Sequence, residues 1–119
     1  MKVLIIEDVE ILAKLWKEMI RFFNPSINVD IALTGKEAVQ KLKNNHYDIV
    51  FLDIILPDIS GFEILEFLNH NYKSTKIIII TASSDTSTLC KINNYNYDKI
   101  LIKPVSRDAF LNVLKKFIS

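Results

Sequence analysis

An α/β domain, with one parallel sheet wound on both faces by helices, is the fold this sequence predicts, and three observations predict it. Five short runs rich in β-branched residues recur along the chain: Lys2 to Ile6, Ile27 to Ala32, Ile49 to Asp53, Lys76 to Thr81, and Lys99 to Lys103. Each has the length of a strand. Three of them contain the continuously apolar stretches VLII, IVFL and IIII, the pattern of strands covered on both faces and so of a parallel sheet between helices. Segments with helical periodicity lie between the runs, giving the order (βα)₅ with no linker, repeat or low-complexity segment. Right-handed crossovers then close these units into a single doubly wound sheet spanning residues 1–119.

The first and last helices are the clearest. Leu12, Leu15, Trp16, Met19, Ile20 and Phe23 form one apolar stripe, and Phe110, Val113, Leu114, Phe117 and Ile118 form another. Phe22 is expected to pack with the first. Thr34 precedes Glu37, and Ser60 precedes Glu63, in the spacing that lets side chains satisfy free amides at a helix start. Ser83 or Ser84 with Asp85, and Ser106 with Asp108, can cap two more. The fourth helix, roughly Asp85 to Asn93, has only Leu89, Cys90 and Ile92 as apolar residues and should be the least firmly packed element. The polar stretch Asn93 to Asp98 reads as a loop.

Composition narrows the function classes. Half the 119 residues are apolar and 24% are charged, which is ordinary for a globular domain, and 119 residues can hold a core unaided. The net charge of +1 gives no reason to expect direct nucleic-acid or anionic-membrane binding. Cys90 is the single cysteine, so no internal disulfide forms and no zinc-binding spacing exists. Acidic residues follow only four apolar ones at the start, and no run approaches a membrane span, so a cytoplasmic protein is expected. His46 and His70 read as surface residues near helix ends, and Cys90 as a small, partly buried hydrophobe.

In doubly wound sheets ligands sit beyond the carboxyl ends of the strands. There the chain places Glu7 and Asp8 after the first strand, Asp53 at the end of the third, Thr81 at the end of the fourth, and Lys103 followed by Pro104 after the fifth. Any one of these acids alone would read as a helix cap or a solvated charge. Together, three carboxylates crowd one edge, and such groups raise one another's pKa values unless a cation compensates. An all-oxygen donor set suits Mg²⁺ or Mn²⁺. Glu7, Asp8 and Asp53 supply three negative charges, which one divalent ion and Lys103 would balance. A carboxylate can act as a nucleophile toward phosphorus, and phosphoryl transfer depends chiefly on positioning and on neutralising the equatorial oxygens. Asp53 is the best placed nucleophile, with a metal, Lys103 and Thr81 each available to one phosphoryl oxygen. Only Gly35 and Gly61 are present, too few for a P-loop or a dinucleotide-binding turn.

These residues, in this order, resemble the receiver domains of two-component response regulators, and the resemblance covers essentially the whole chain. It rests on Glu7 and Asp8, the segment DIVFLDIILPDISGFEIL around Asp53, the pair Thr81 and Ala82, and the dipeptide Lys103 and Pro104. The resemblance implies a flavodoxin-like sheet of order 2-1-3-4-5. It also implies that Asp53 accepts a phosphoryl group from a histidine kinase or phosphotransfer protein. Asp8, Asp53 and the Ile55 carbonyl would be direct metal ligands, Glu7 would act mainly through water, and Thr81 and Lys103 would contact the phosphoryl group. The Lys103–Pro104 peptide is expected to be cis, Gly61 to serve the turn into the third helix, and Pro57 the loop after Asp53. Such a domain catalyses only its own phosphorylation and dephosphorylation. It would switch the face formed by the fourth helix, fifth strand and fifth helix, acting on a downstream effector or output domain, with a homodimer in the phosphorylated state as one form.

Departures from the family pattern accompany the match. The position three residues before the lysine, commonly Tyr or Phe in the family, is Ile100, so any switch must run through Thr81 without an aromatic gate. Ile55 and Ser83, at the two positions that influence phosphoryl lifetime, offer no strong acid or base to an attacking water, which points to slow self-dephosphorylation. Two rival readings remain open on sequence. One is a pseudo-receiver serving as a binding or dimerisation module. The other is an aspartyl-nucleophile phosphatase, which would need an acid where Ile55 stands.

Overall fold

The computed structural model describes residues 1–82 and 85–118. β1 (Lys2–Ile6) leads through α1 (Glu10–Phe23) to β2 (Asn28–Ala32), then α2 (Gly35–Asn44), β3 (Ile49–Asp53) and α3 (Gly61–Asn71). The chain continues with β4 (Lys76–Thr81), α4 (Thr86–Ile92), β5 (Lys99–Ile102) and α5 (Arg107–Ile118). The sheet is parallel throughout and ordered β2-β1-β3-β4-β5, as the resemblance implied. β2 begins one residue later and β5 ends one residue earlier than the sequence suggests.

The continuously apolar strands are explained by two separate cores. Val3, Ile5, Ile49, Phe51, Ile78 and Ile80 face α1 and α5, where they meet Trp16, Ile20, Phe110 and Leu114. Their neighbours Leu4, Ile6, Val50, Leu52, Ile77 and Ile79 point the other way, onto Leu42 of α2, Ile64, Leu65 and Leu68 of α3, and Ile92 of α4. Because side chains alternate across a strand, a strand buried on both faces must be apolar at every position. Phe51 and Trp16 both stack on Phe110, with centroids 5.3 and 6.0 Å apart.

The helix starts follow the sequence with adjustments. The Thr34 hydroxyl accepts from Glu37 N at 3.1 Å, and the Glu37 carboxylate reaches back to Leu33 N at 2.8 Å. Ser60 accepts from Phe62 N instead of Glu63 N. Asp85 caps α4 by accepting from Thr88 N, and Ser106 accepts from Ala109 N. Ser83 and Ser84, the other candidate caps, lie outside the described residues, as does the Ser83 position tied to phosphoryl lifetime.

Three packing expectations are corrected. Phe22 is 87% exposed: it lies two residues beyond buried Ile20, roughly 200° around the helix and therefore on the far face. Leu15, one residue before Trp16, sits at the margin of the stripe and is also exposed. Cys90 is exposed for the same reason as Phe22, since it stands two residues before buried Ile92. His46 and His70 are at the surface, beside Asp48 and Glu66 respectively.

Candidate functional site

Parallel strands in register bring their carboxyl ends to one edge. Ile6 pairs with Leu52, Asp53 with Ile80, and Thr81 with Ile102. The residues that end these strands, or directly follow them, therefore meet. Glu7 and Thr81 are fully buried, Asp53 nearly so, and Asp8 is exposed. One carboxylate oxygen from each of Glu7, Asp8 and Asp53 lies within 4.8 Å of the others. Lys103 comes up from the end of β5, its Nζ donating to Asp53 Oδ2 at 2.9 Å and forming an ion pair with Glu7 Oε1. The Lys103–Pro104 peptide that follows is cis.

The loop after β3 is tied to the same carboxylate. Ile55 N donates to Asp53 Oδ1 at 3.0 Å, while the Ile55 side chain points into solvent. Gly61 N returns to Ile54 O at 2.9 Å, and a Cβ at Gly61 would stand 2.4 Å from the Ile54 backbone. That contact is too close for any side chain, so glycine is required here by proximity. Asp58 fixes the other side of the loop, accepting from Gly35 N and Lys36 N at the start of α2, and these hydrogen bonds hold its carboxyl below the usual range.

Burial pushes the Glu7 carboxyl up to about 7; the bond to Lys103 opposes this, while Asp53 and Asp8 add to it. For Lys103, burial works against the charged form, but the hydrogen bonds and charges of Glu7 and Asp53 outweigh it and hold the ammonium above the ordinary lysine range. Glu7 and Asp53 thus share the Lys103 ammonium, and the Asp8 carboxylate stands beside them. The donor set fits a hard divalent cation: every ligand is oxygen, and oxygens on one Mg²⁺ lie at most about 4.2 Å apart, near the separation seen here.

Every residue singled out at the strand ends is brought to this edge. Ile100, in contrast, is half-buried against the α3 side of the sheet, away from the carboxylates. One neighbour was assigned to the core alone. Trp16 packs there, but its ring also lies beneath Lys103, with Nζ 5.9 Å from the centroid. Its place in the α1 stripe gave no sign of this.

A response regulator receiver domain family model matches residues 3–115. The response regulator ArlR of Staphylococcus saprophyticus is 36% identical over 110 residues, covering 92% of this chain and 49% of its own length. The chain spans about half the length of the curated relatives it matches. Among solved structures, a CheY-like receiver domain from Methanospirillum hungatei superposes with a TM-score of 0.87 at 27% identity, over 98% of this chain and 93% of the other. TrrA from Thermotoga maritima, solved in complex with Mg²⁺ and BeF, gives 0.82 at 29% identity, over 98% and 97%. With the sheet order and the matched span in agreement, the chain belongs to the receiver domains of two-component response regulators, which are signalling domains and not classical enzymes.

Proposed function

We propose that Asp53 is the phosphoacceptor of this domain and takes its phosphoryl group from a histidine kinase or phosphotransfer protein in the cytoplasm. The supporting observation is the placement of its carboxylate at the end of the middle strand, 2.9 Å from the Lys103 ammonium and within 4.8 Å of two further carboxylates. A carboxylate oxygen of Asp53 attacks phosphorus as the bond to the donor nitrogen breaks, the electron pair returns to that nitrogen, and the donor histidine, already protonated on its other ring nitrogen, leaves as neutral imidazole. Lys103 accompanies the charge as it moves onto the phosphoryl oxygens, and the Thr81 hydroxyl donates to another of them.

Asp8, Asp53 and the Ile55 carbonyl would hold Mg²⁺ or Mn²⁺, with Glu7 acting through water. The ion would supply charge neutralisation to the equatorial oxygens. Buried Glu7 and half-buried Lys103, both beside Asp53, limit the access of bulk water and set the local charge. The Ile55 N–H fixes the orientation of the Asp53 carboxylate. Ile55 presents an exposed aliphatic side chain that can neither protonate a leaving group nor activate water, which weighs against the phosphatase reading.

Downstream, the change passes through Thr81 to α4 and the α4-β5-α5 face, with Ile100 as packing and not as a gate. Among the described residues no helix is long and apolar enough to cross a membrane. Incubation with a small phosphodonor tests the reading: intact-mass analysis should show one phosphoryl group added with Mg²⁺ and none with a chelator. Addition that is indifferent to the metal would contradict the proposed site.

A further inference from the structure

Trp16, the chain's one tryptophan, is buried in the core under α1 and α5, yet one of its neighbours is a cation. Lys103 Nζ lies over the indole, 5.9 Å from its centroid, with carboxylate oxygens of Glu7 and Asp53 as its other partners. The ring itself is held in a row of stacked aromatics. Trp16 meets Phe110 at 6.0 Å and 16°, and Phe110 meets Phe51 at 5.3 Å and 26°. Phe51 stands two residues before Asp53 on β3. Side chains two apart along a strand share a face, so the strand that carries Asp53 also anchors the row that fixes the indole. Packing therefore sets the plane of the ring before Lys103 reaches it.

We propose that Trp16 is a positioning residue for phosphoryl transfer, its ring face keeping the Lys103 ammonium beside Asp53 and ready to follow charge onto the phosphoryl oxygens. The inference rests on Asp53 being the phosphoacceptor. A lysine side chain is a point charge on a flexible stem, so something must aim it. In the resting site Glu7 and Asp53 do so, but both change as the reaction proceeds. Asp53 exchanges its own charge for that of the acyl phosphate, and Glu7 belongs to the carboxylates that a divalent cation would draw on. The indole face does not titrate and is not a ligand for a hard cation, so its attraction for the ammonium persists through every stage. That attraction is strongest where water is kept away, and Lys103 is half-buried. An aliphatic side chain could fill the same core but would offer the ammonium nothing.

Because the chain has a single tryptophan, biosynthetic incorporation of mono-, di- and trifluorotryptophan alters this ring alone. Fluorine withdraws negative potential from the ring face and scarcely changes its shape, so packing is kept while the pull on a cation weakens. With acetyl phosphate and Mg²⁺, the rate of phosphorylation followed by intact mass should fall stepwise along the series, with a nearly constant thermal midpoint. Trp16→Leu should be slower than the wild type by about three- to thirtyfold, and Trp16→Phe, which keeps a weaker aromatic face, should lie between them. A rate indifferent to fluorination would overturn the proposal, and a slow Trp16→Leu beside it would mark Trp16 as packing alone. NMR of the unphosphorylated full chain supplies a readout that needs no phosphoryl transfer. The Lys103 Hε protons, next to the ammonium over the ring, should resonate upfield of those of exposed lysines and return to their range in Trp16→Leu. Ordinary Lys103 shifts in a wild type that is readily phosphorylated would remove the present proposal and leave the phosphoacceptor reading standing. Upfield Lys103 shifts in a wild type that takes no label would remove the phosphoacceptor reading, and the positioning role with it.

Discussion

Glu7 has no solvent exposure, and burial raises its carboxyl from an ordinary 4.5 to about 7. A group whose folded-state pKa is raised favours the folded protein while protonated. Its contribution is complete below about 4.5 and is lost as pH rises through about 7. Without divalent cation, the urea midpoint should therefore fall across that window, and Glu7→Gln should flatten the slope. Excess Mg²⁺ should restore stability most at the upper end, where the proton no longer competes. A midpoint that rises from pH 5 to 7 in chelator would contradict this account of the charge at the strand ends. Gly61 makes a simpler claim: Gly61→Ala drives a methyl into the Ile54 backbone, and chemical denaturation should show a loss of about 1–3 kcal/mol or more. Glu7, Asp8, Asp53, Thr81 and Lys103 were legible in the sequence because parallel strands must end on a common edge. Trp16 beside Lys103 and the Asp58 cap on α2 were not, since each joins elements that sequence spacing does not relate.

Two strands begin with the same device. Asp48 N donates to Lys2 O and its carboxylate accepts from Lys2 N, both at 2.8 Å. Asp98 repeats the pattern on β4, with N donating to Ile77 O and the carboxylate accepting from Ile77 N, again at 2.8 Å. The side chain stands in for the next carbonyl of the ladder and so pins the register of β3 on β1 and of β5 on β4. The sequence carries a trace of this in the dipeptide Tyr-Asp before each strand, at Tyr47 and Asp48 and at Tyr97 and Asp98. Asp98→Ala should cost about 1–3 kcal/mol by orphaning the Ile77 amide, and Asp98→Asn, which keeps the acceptor, should recover most of it. Equal losses in the two variants would show that the charge matters and not the hydrogen bond. α4 is held differently. It buries Ile92 alone, as its thin apolar pattern suggested, and leans on α3 through Lys91 above the Phe62 ring at 4.3 Å. Beyond α4, Tyr95 packs on Phe62 at 5.8 Å, and the Asn69 side chain bonds both N and O of Asn96. These contacts are few, and segments with few buried anchors open at small cost. With beryllofluoride and Mg²⁺, hydrogen exchange should change across residues 85–97 and little in β1 or β3. A response confined to the loops around Glu7, Asp8 and Asp53 would favour the pseudo-receiver reading.

Across the whole molecule, two cores on opposite faces of one sheet hold the strand ends rigid while the edges differ in what they bury. The α1 and α5 side is closed by stacked aromatics, whereas the α4 side is closed by Ile92 and a few ring contacts. The fold class was readable because strands apolar at every position leave few alternatives to a covered parallel sheet. The exposure of Phe22 was not, because composition along α1 does not say where the apolar stripe ends. This division of rigid centre and lightly held flank is what a phosphorylation-driven signal would need, and it rests on Asp53 being the residue modified. After labelling with a small phosphodonor and Mg²⁺, borohydride reduction converts an aspartyl phosphate to homoserine, which tandem mass spectrometry locates. Homoserine at position 53, with no label in Asp53→Asn, is the predicted result. Label at another carboxylate, or undiminished labelling of Asp53→Asn, would contradict the assignment.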